Sequence, residues 1–254
     1  MSHSMQHRYP EIDLLRTIAI FLMVIYHILF DLEFLYGSSS IDLSVPFWKT
    51  FQVCSASLFL ILVGISFVLS YQRTAANPGK LVYRKYLRRG LRIIGYGVLI
   101  SLTTYIFDTQ TYVRFGILHL IGVSVLVLPF FYRLKEYNIV IGILSICIGK
   151  YVSTIFIHSS LLLPFGITYT GFQTIDYFPL FPWFGVVLIG VAIGHFFFVR
   201  NPHWRTKRLD QFLRHRSIGI IGLPGRYSLL IYLIHQPLIL LVLSLIVGKW
   251  QLMM

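Results

Sequence analysis

Asp13, Arg16, His27 and Asp31 stand in or beside one long apolar run near the start of the chain. At 3.6 residues per turn, Arg16 and His27 differ by only about 20° around a helix axis. His27 and Asp31 are i,i+4 neighbours on that face, and Asp13 lies about 60° from Arg16. These four polar groups thus point one way. Ionisable groups inside a membrane are costly, and each is a functional candidate. Two readings of this face are open. Asp13–Arg16 and His27–Asp31 are pairs that hold helices together, or Asp31 orients the imidazole of His27, which then moves protons.

Two further histidines fall in other apolar runs. His119 stands in Phe115-Gly-Ile-Leu-His119-Leu-Ile-Gly122. His235 shares a helical face with Ser228, Tyr232 and Gln236. A lone histidine on an apolar helix is more often a packing residue, but three in separate runs with polar neighbours point to a shared cavity. No metal is expected, because no spacing of His, Asp or Glu beyond His27–Asp31 resembles a ligand set.

The elements that must position these residues are membrane helices. Of 254 residues 56% are hydrophobic and 12% charged, with mean hydropathy +0.74. A soluble domain carries about 25% charged residues, so lipid is the better solvent for this exterior. Candidate spans are Leu14–Tyr36, Phe47–Tyr71, Ile93–Phe107, Phe115–Tyr132, Ile139–Ile157, Leu180–Val199 and Tyr227–Val247. The third is short and is expected to begin earlier, with its basic residues snorkelling to the interface. The expected fold is an all-α, polytopic transmembrane bundle of about seven spans, forming a single domain over residues 1–254. The first run is too long for a signal peptide and contains His27 and Asp31. Despite the small residues Gly37, Ser38, Ser39 and Ser40, helix one is read as retained.

Net charge is +13, and its location narrows its meaning. Lys and Arg concentrate on the cytoplasmic side of membrane proteins. The second connection holds Arg73, Lys80, Arg84, Lys85, Arg88, Arg89 and Arg92, and the fourth holds Arg133 and Lys135. The sixth holds Arg200, Arg205, Lys207, Arg208, Arg214, Arg216 and Arg226. The first, third and fifth have almost none, which predicts an inside N-terminus and an outside C-terminus. Charge placed this way argues against nucleic acid as a partner. Arg84, Lys85, Arg88, Arg89 and Arg92 recur at helical spacing, so they are either lipid-facing charge or a cradle for phosphates of an anionic ligand.

Other features are less specific. Cys54 and Cys147 sit in apolar runs without metal-ligand spacing and read as small, buried packing residues. The connection His158–Pro179 is rich in Gly, Pro and aromatics, as a lid or re-entrant loop is. It ends in Asp176-Tyr-Phe-Pro-Leu-Phe-Pro-Trp183, where Pro182 suits a first helical turn and Trp183 an interfacial anchor.

The opening Glu11-Ile-Asp13-Leu-Leu-Arg16-Thr-Ile-Ala-Ile-Phe-Leu-Met-Val-Ile-Tyr-His27 resembles the start of the membrane-bound acyltransferases. Two branches share it, the acyltransferase-3 family and the heparan-α-glucosaminide N-acetyltransferase catalytic-domain family. The runs Phe115–Ser124, Asp176–Gly185 and Gly225–Pro237 favour the second. The resemblance implies transfer of an acetyl group from cytosolic acetyl-CoA to an amino sugar or cell-envelope glycan on the far side of the plasma membrane. It places the CoA at Arg16, Arg84, Arg88 and Arg89, with Tyr232 and His235 along its path. His27, Asp31 and His119 are then the catalytic candidates, and Asp176 and Trp183 face the acceptor. Direct transfer and an acetyl-imidazole intermediate are both open. This chain is shorter than the animal enzyme, and its first outer connection, Gly37–Pro46, contains no histidine. If the branch uses one there, His27 or His119 must serve instead. A proton-coupled transporter is the alternative function, since intramembrane His and Asp suit it equally. The implied partners are the bilayer, acetyl-CoA and the glycan, with a homodimer left open.

Overall fold

In the computed structural model, which describes residues 9–34, 37, 42–76, 82–204, 211, 213 and 215–247, helices dominate and no strand forms among the described residues. The α-helices are α1 (Pro10–Phe34), α2 (Pro46–Ala75), α3 (Val82–Phe107), α4 (Ile117–Phe131), α5 (Asn138–Val152) and α6 (Leu180–His195), followed by α7 (Arg216–Ile221), α8 (Leu223–Arg226) and α9 (Ser228–Val247). Ser38, Ser39, Ser40, Lys80, Arg205, Lys207, Arg208, Arg214 and the side chain of Arg216 lie outside the described residues.

Six helical stretches are long and apolar enough to cross a bilayer, against the expected seven or so. The difference lies in Ile117–Val152, which counts once yet contains both α4 and α5. These helices have 15 residues each. At 1.5 Å per residue each is about 22 Å long, short of the ~30 Å hydrocarbon core. Between them lies a 3-10 segment, Tyr132–Tyr137, in which Lys135 takes φ 50°. The basic run of the second connection belongs to α3 itself, whose helix starts at Val82. Large apolar side chains such as Phe21, Ile106 and Ile246 are exposed, as lipid contact requires. Cys54 and Cys147 are free but exposed, which corrects their reading as buried. Hydropathy marks a span without saying which of its faces meets lipid.

The chain divides into two compact units, Met1–Phe59 with His203–Met254, and Leu60–Pro202. In the first, α1 packs against α8 and α9. Gly225 of α8 comes so close that a Cβ there would collide with the carbonyl oxygen of Asp13. Its N–H donates to Thr17 Oγ1 at 3.0 Å, and that hydroxyl donates to Asp13 O at 3.1 Å. Further along, His27 meets His235 and Asp31 meets Gln236. Residue numbers rise together on both sides, so α1 and α9 run in the same direction.

In the second unit, α5 and α6 pack antiparallel through small residues. Gly142 abuts Gly185, and Gly149 abuts Pro182, so tightly that backbone meets backbone. Such close approach is how helices gain packing energy in lipid, where no hydrophobic force separates protein from solvent. α3 and α4 use the same device at Gly90 and Gly122. The connections preceding α4 and α6 satisfy each other's backbone. Ile175 N–H donates to Thr111 O at 2.9 Å, and Phe178 N–H to Phe115 O at 2.8 Å. Irregular backbone at a membrane protein's edge needs such partners.

Candidate functional site

The first unit brings together the two ends of the α1 face with residues of α8 and α9. The His27 and His235 rings lie 4.9 Å apart, centroid to centroid, at 61°. His235 is buried, and its Nδ1 is 2.6 Å from the carbonyl oxygen of Tyr232. A carbonyl only accepts, so Nδ1 holds the proton of the neutral ring and Nε2 carries the lone pair. That Nε2 is buried and has no hydrogen-bond partner. His235 therefore offers a basic nitrogen of fixed tautomer beside a second imidazole.

Asp31 is 1% exposed. Its two oxygens each accept from Gln236 Nε2 at 2.9 Å. The expected His27–Asp31 hydrogen bond does not form. Spacing of i,i+4 makes two residues neighbours, but a side chain on a facing helix can outcompete the neighbour, and Gln236 does. The Gln236 Oε1 is left buried without a donor.

At the other end of α1, the carboxylate of Asp13 stands between two guanidinium groups. Arg16 Nη1 lies 3.6 Å from Oδ1, and Arg226 Nε donates to Oδ2 at 3.2 Å. Sequence spacing found the Arg16 partner and missed Arg226, which counted there only as one more loop cation. The signal was present in Gly225-Arg226, a small residue and a cation at the mouth of the last apolar run.

The second unit holds the remaining candidates. His119 rests on Gly97 of α3, where a Cβ would come within 3.0 Å of the imidazole, and stacks on Phe115 at 5.6 Å. Its Nδ1 is buried and unpartnered. Asp176 Oδ2 accepts from Ile117 N at 3.1 Å and so caps α4, whose own N-cap is Gly116. A Cβ on Gly116 would collide with that carboxylate. Burial pushes the Asp176 carboxyl up to about 6, against the lowering effect of the Ile117 N–H. Trp183 packs on Phe178 at 4.8 Å. Arg84, Arg88 and Arg89 are exposed along α3 and have no carboxylate partner among the described residues.

Sequence reasoning missed a cleft of about 850 Å³ in this unit, lined by Arg114, His158 and several tyrosines. The third connection looked nearly free of charge, so its one arginine drew no attention. Among the described residues, no cluster of three or more His, Cys, Asp or Glu could hold a metal ion.

Long apolar helices define a multi-pass membrane protein. The family model "heparan-alpha-glucosaminide N-acetyltransferase, catalytic" matches residues 8–237, and the chain belongs to that family. No curated protein and no solved structure matches it.

Proposed function

We propose that this protein takes an acetyl group from cytosolic acetyl-CoA and transfers it to an amino sugar or envelope glycan on the outer side of the plasma membrane. The observation that carries the reading is the His27–His235 pair, with an unpartnered lone-pair nitrogen held inside a membrane helix pair. His27 is the base. The acceptor nitrogen attacks the thioester carbonyl carbon, a C–N bond forms, and the C–S bond breaks. Imidazole takes the proton the amine loses, and the CoA sulfur leaves as thiolate. His235 is the neighbour to which that proton can pass. Asp31, held by Gln236, keeps a negative charge on the α1 face near a developing imidazolium. His119 is the rival imidazole of the other unit, and a covalent acetyl-imidazole there or on His27 is the rival route.

The donor fits the basic face. Arg84, Arg88 and Arg89 are exposed cations without carboxylate partners among the described residues, suited to CoA phosphates. In the first unit, Arg16, steadied by Asp13, and Tyr232 are the proposed donor contacts. Asp176 fixes the connection that faces the acceptor, and Trp183 anchors it.

The orientation proposed is N-terminus inside and C-terminus outside, with seven crossings. Parallel α1 and α9 require an odd number of passes between the two ends. Counting α4 and α5 as separate passes gives that number. Their junction at Lys135 and the antiparallel packing of α5 on α6 support counting them so.

The test is incubation of purified protein with radiolabelled acetyl-CoA and a panel of amino sugars, beside His27→Ala and His235→Ala. Label is expected in the sugar, with each variant slowed by about 10²-fold or more. Protein-bound label that acceptor chases off would select the covalent route. Absence of both CoA binding and acetyl transfer would sink the reading.

A further inference from the structure

The cleft of the second unit has a charge pattern that selects its ligand. Its volume is about 850 Å³ and no Asp or Glu lines it. That size lies in the range of small-molecule sites, ~300–1,000 Å³. Arg114 lines it beside the imidazole of His158. Arg114 is held as a fixed group. Its guanidinium carbon lies 4.9 Å from the Tyr112 ring centre and 5.5 Å from those of Tyr169 and Phe172. Nη2 donates to Gln110 O at 3.3 Å, while Nε is buried and has no acceptor.

The nearest carboxylate in sequence is already engaged. Asp108 accepts from the Thr111 hydroxyl at 2.6 Å and from Gln110 N–H at 2.7 Å. Arg114 thus has no acidic partner among the described residues, and its planar fork suits a carboxylate or phosphate. Around it stand Ser159, Ser160, Thr170 and the phenol-bearing Tyr105 and Tyr169, which offer donors and acceptors in a wall that also holds Val113 and Leu163. Ser101 Oγ, also in that wall, is buried without a partner. It sits one helical turn along α3 from Gly97, on which His119 rests.

We propose that this cleft binds a saccharide through an anionic substituent, a carboxylate or phosphate, gripped by Arg114. The sugar hydroxyls pair with the serine, threonine and tyrosine hydroxyls of the wall. An acceptor amine is not read here, because no carboxylate is present to receive an ammonium. Arg114 is accordingly a specificity residue, reading acid on the sugar. The role of this sugar as acceptor rests on the acetyltransferase reading; its binding does not.

Binding is measured without acetyl-CoA, on the purified full chain in detergent, by calorimetry. The probes are a glucuronate-terminated disaccharide and its neutral, glucose-terminated counterpart. The acidic sugar is expected to bind at least ten-fold more tightly, with an affinity that falls as salt rises. Arg114→Gln is expected to erase that preference, and Arg114→Lys to restore only part of it. Equal binding of the two sugars by the native chain, or no binding of acidic sugar either free or lipid-borne, overturns the proposal without reference to any variant. Arg114→Gln binding the acidic sugar as the native chain does also overturns it. Free and lipid-borne sugars share this chemistry, so an acidic glycolipid in nanodiscs forms a second arm, and Arg114-dependent binding confined to that arm supports the proposal and names lipid as the source. Binding without any acetyl transfer leaves the cleft standing and removes the acetyltransferase reading alone.

Discussion

Replacing Asp176 by asparagine isolates the cost of a buried charge from the benefit of a helix cap. The asparagine carbonyl can still accept from Ile117 N–H, as Asp176 Oδ2 does at 3.1 Å, so α4 keeps its cap. What changes is ionisation. Burial raises the Asp176 carboxyl from 3.8 to about 6, and at about 1.4 kcal/mol per pH unit that corresponds to roughly 3 kcal/mol. The folded state binds the proton more tightly than the unfolded state. The carboxyl's favourable contribution is therefore complete below pH 3.8 and is lost as pH rises towards about 6. A carboxylate at a helix start gains about 0.3–1 kcal/mol, too little to reverse the sign. Thermal unfolding in detergent, followed by tryptophan fluorescence, reads the difference. A chain of this size moves by about 2–4 °C per kcal/mol. Asp176→Asn should melt roughly 6–12 °C above the native chain at neutral pH, with the gap closing towards about pH 4. Asp176→Ala should lose a further ~1 kcal/mol at every pH, because the cap is gone. A gap that does not move with pH would refute the argument. So would a native chain that gains on asparagine as pH rises, since the helix start would then dominate.

Two further perturbations address the packing of each unit. Arg226→Ala should destabilise by roughly 1–2 kcal/mol, less than a fully buried charged hydrogen bond, because both partners retain some exposure. A double-mutant cycle with Asp13→Ala, read by thermal unfolding, should give a coupling of about 1 kcal/mol, and a coupling within error of zero would remove the Asp13–Arg226 contact from the argument. Gly185→Val drives a side chain into the carbonyl oxygen of Gly142 and should cost about 1–3 kcal/mol as α5 and α6 part; an unchanged melting temperature would show that the two helices do not rely on this contact.

The membrane class, the long apolar helices and the polar face of α1 were legible in the sequence because each follows from periodicity and hydropathy. Helical spacing correctly set Asp13, Arg16, His27 and Asp31 on one side. It could not name their partners, because partner choice is a property of the facing helix. Gln236, rather than His27, takes Asp31, and Arg226 joins Arg16 on Asp13. The break at Lys135 was equally hidden. Its residues are polar enough to end a span, but nothing in their order fixes a positive φ there. The cleft was missed for a further reason. It is built from two connections far apart in sequence, joined by Ile175 to Thr111 and Phe178 to Phe115, and no local pattern announces that pairing.

Polar atoms left without partners mark candidate ligand positions where they cluster beside other polar groups; single ones also occur within helix packing, at Ser124, Asn138 and Ser145. An unsatisfied buried donor or acceptor costs about 1–3 kcal/mol, and water cannot relieve it inside the hydrocarbon. In the first unit the unpartnered atoms include His235 Nε2 and Gln236 Oε1, adjacent in sequence and set against His27 and Asp31. In the second they include Ser101 Oγ and Arg114 Nε, which line one cleft, and His119 Nδ1, whose ring rests on Gly97 one turn along α3 from Ser101. A purely structural reading predicts the opposite distribution. Polar groups kept only to lock helices together would be mutually satisfied, as Asp13, Thr17, Gly225 and Arg226 are. The Asp13 end of α1 is built like a lock, and the His27 end like a socket. That contrast along one helix favours chemistry at the His27 end, and it makes His27 and His235 the first pair to mutate.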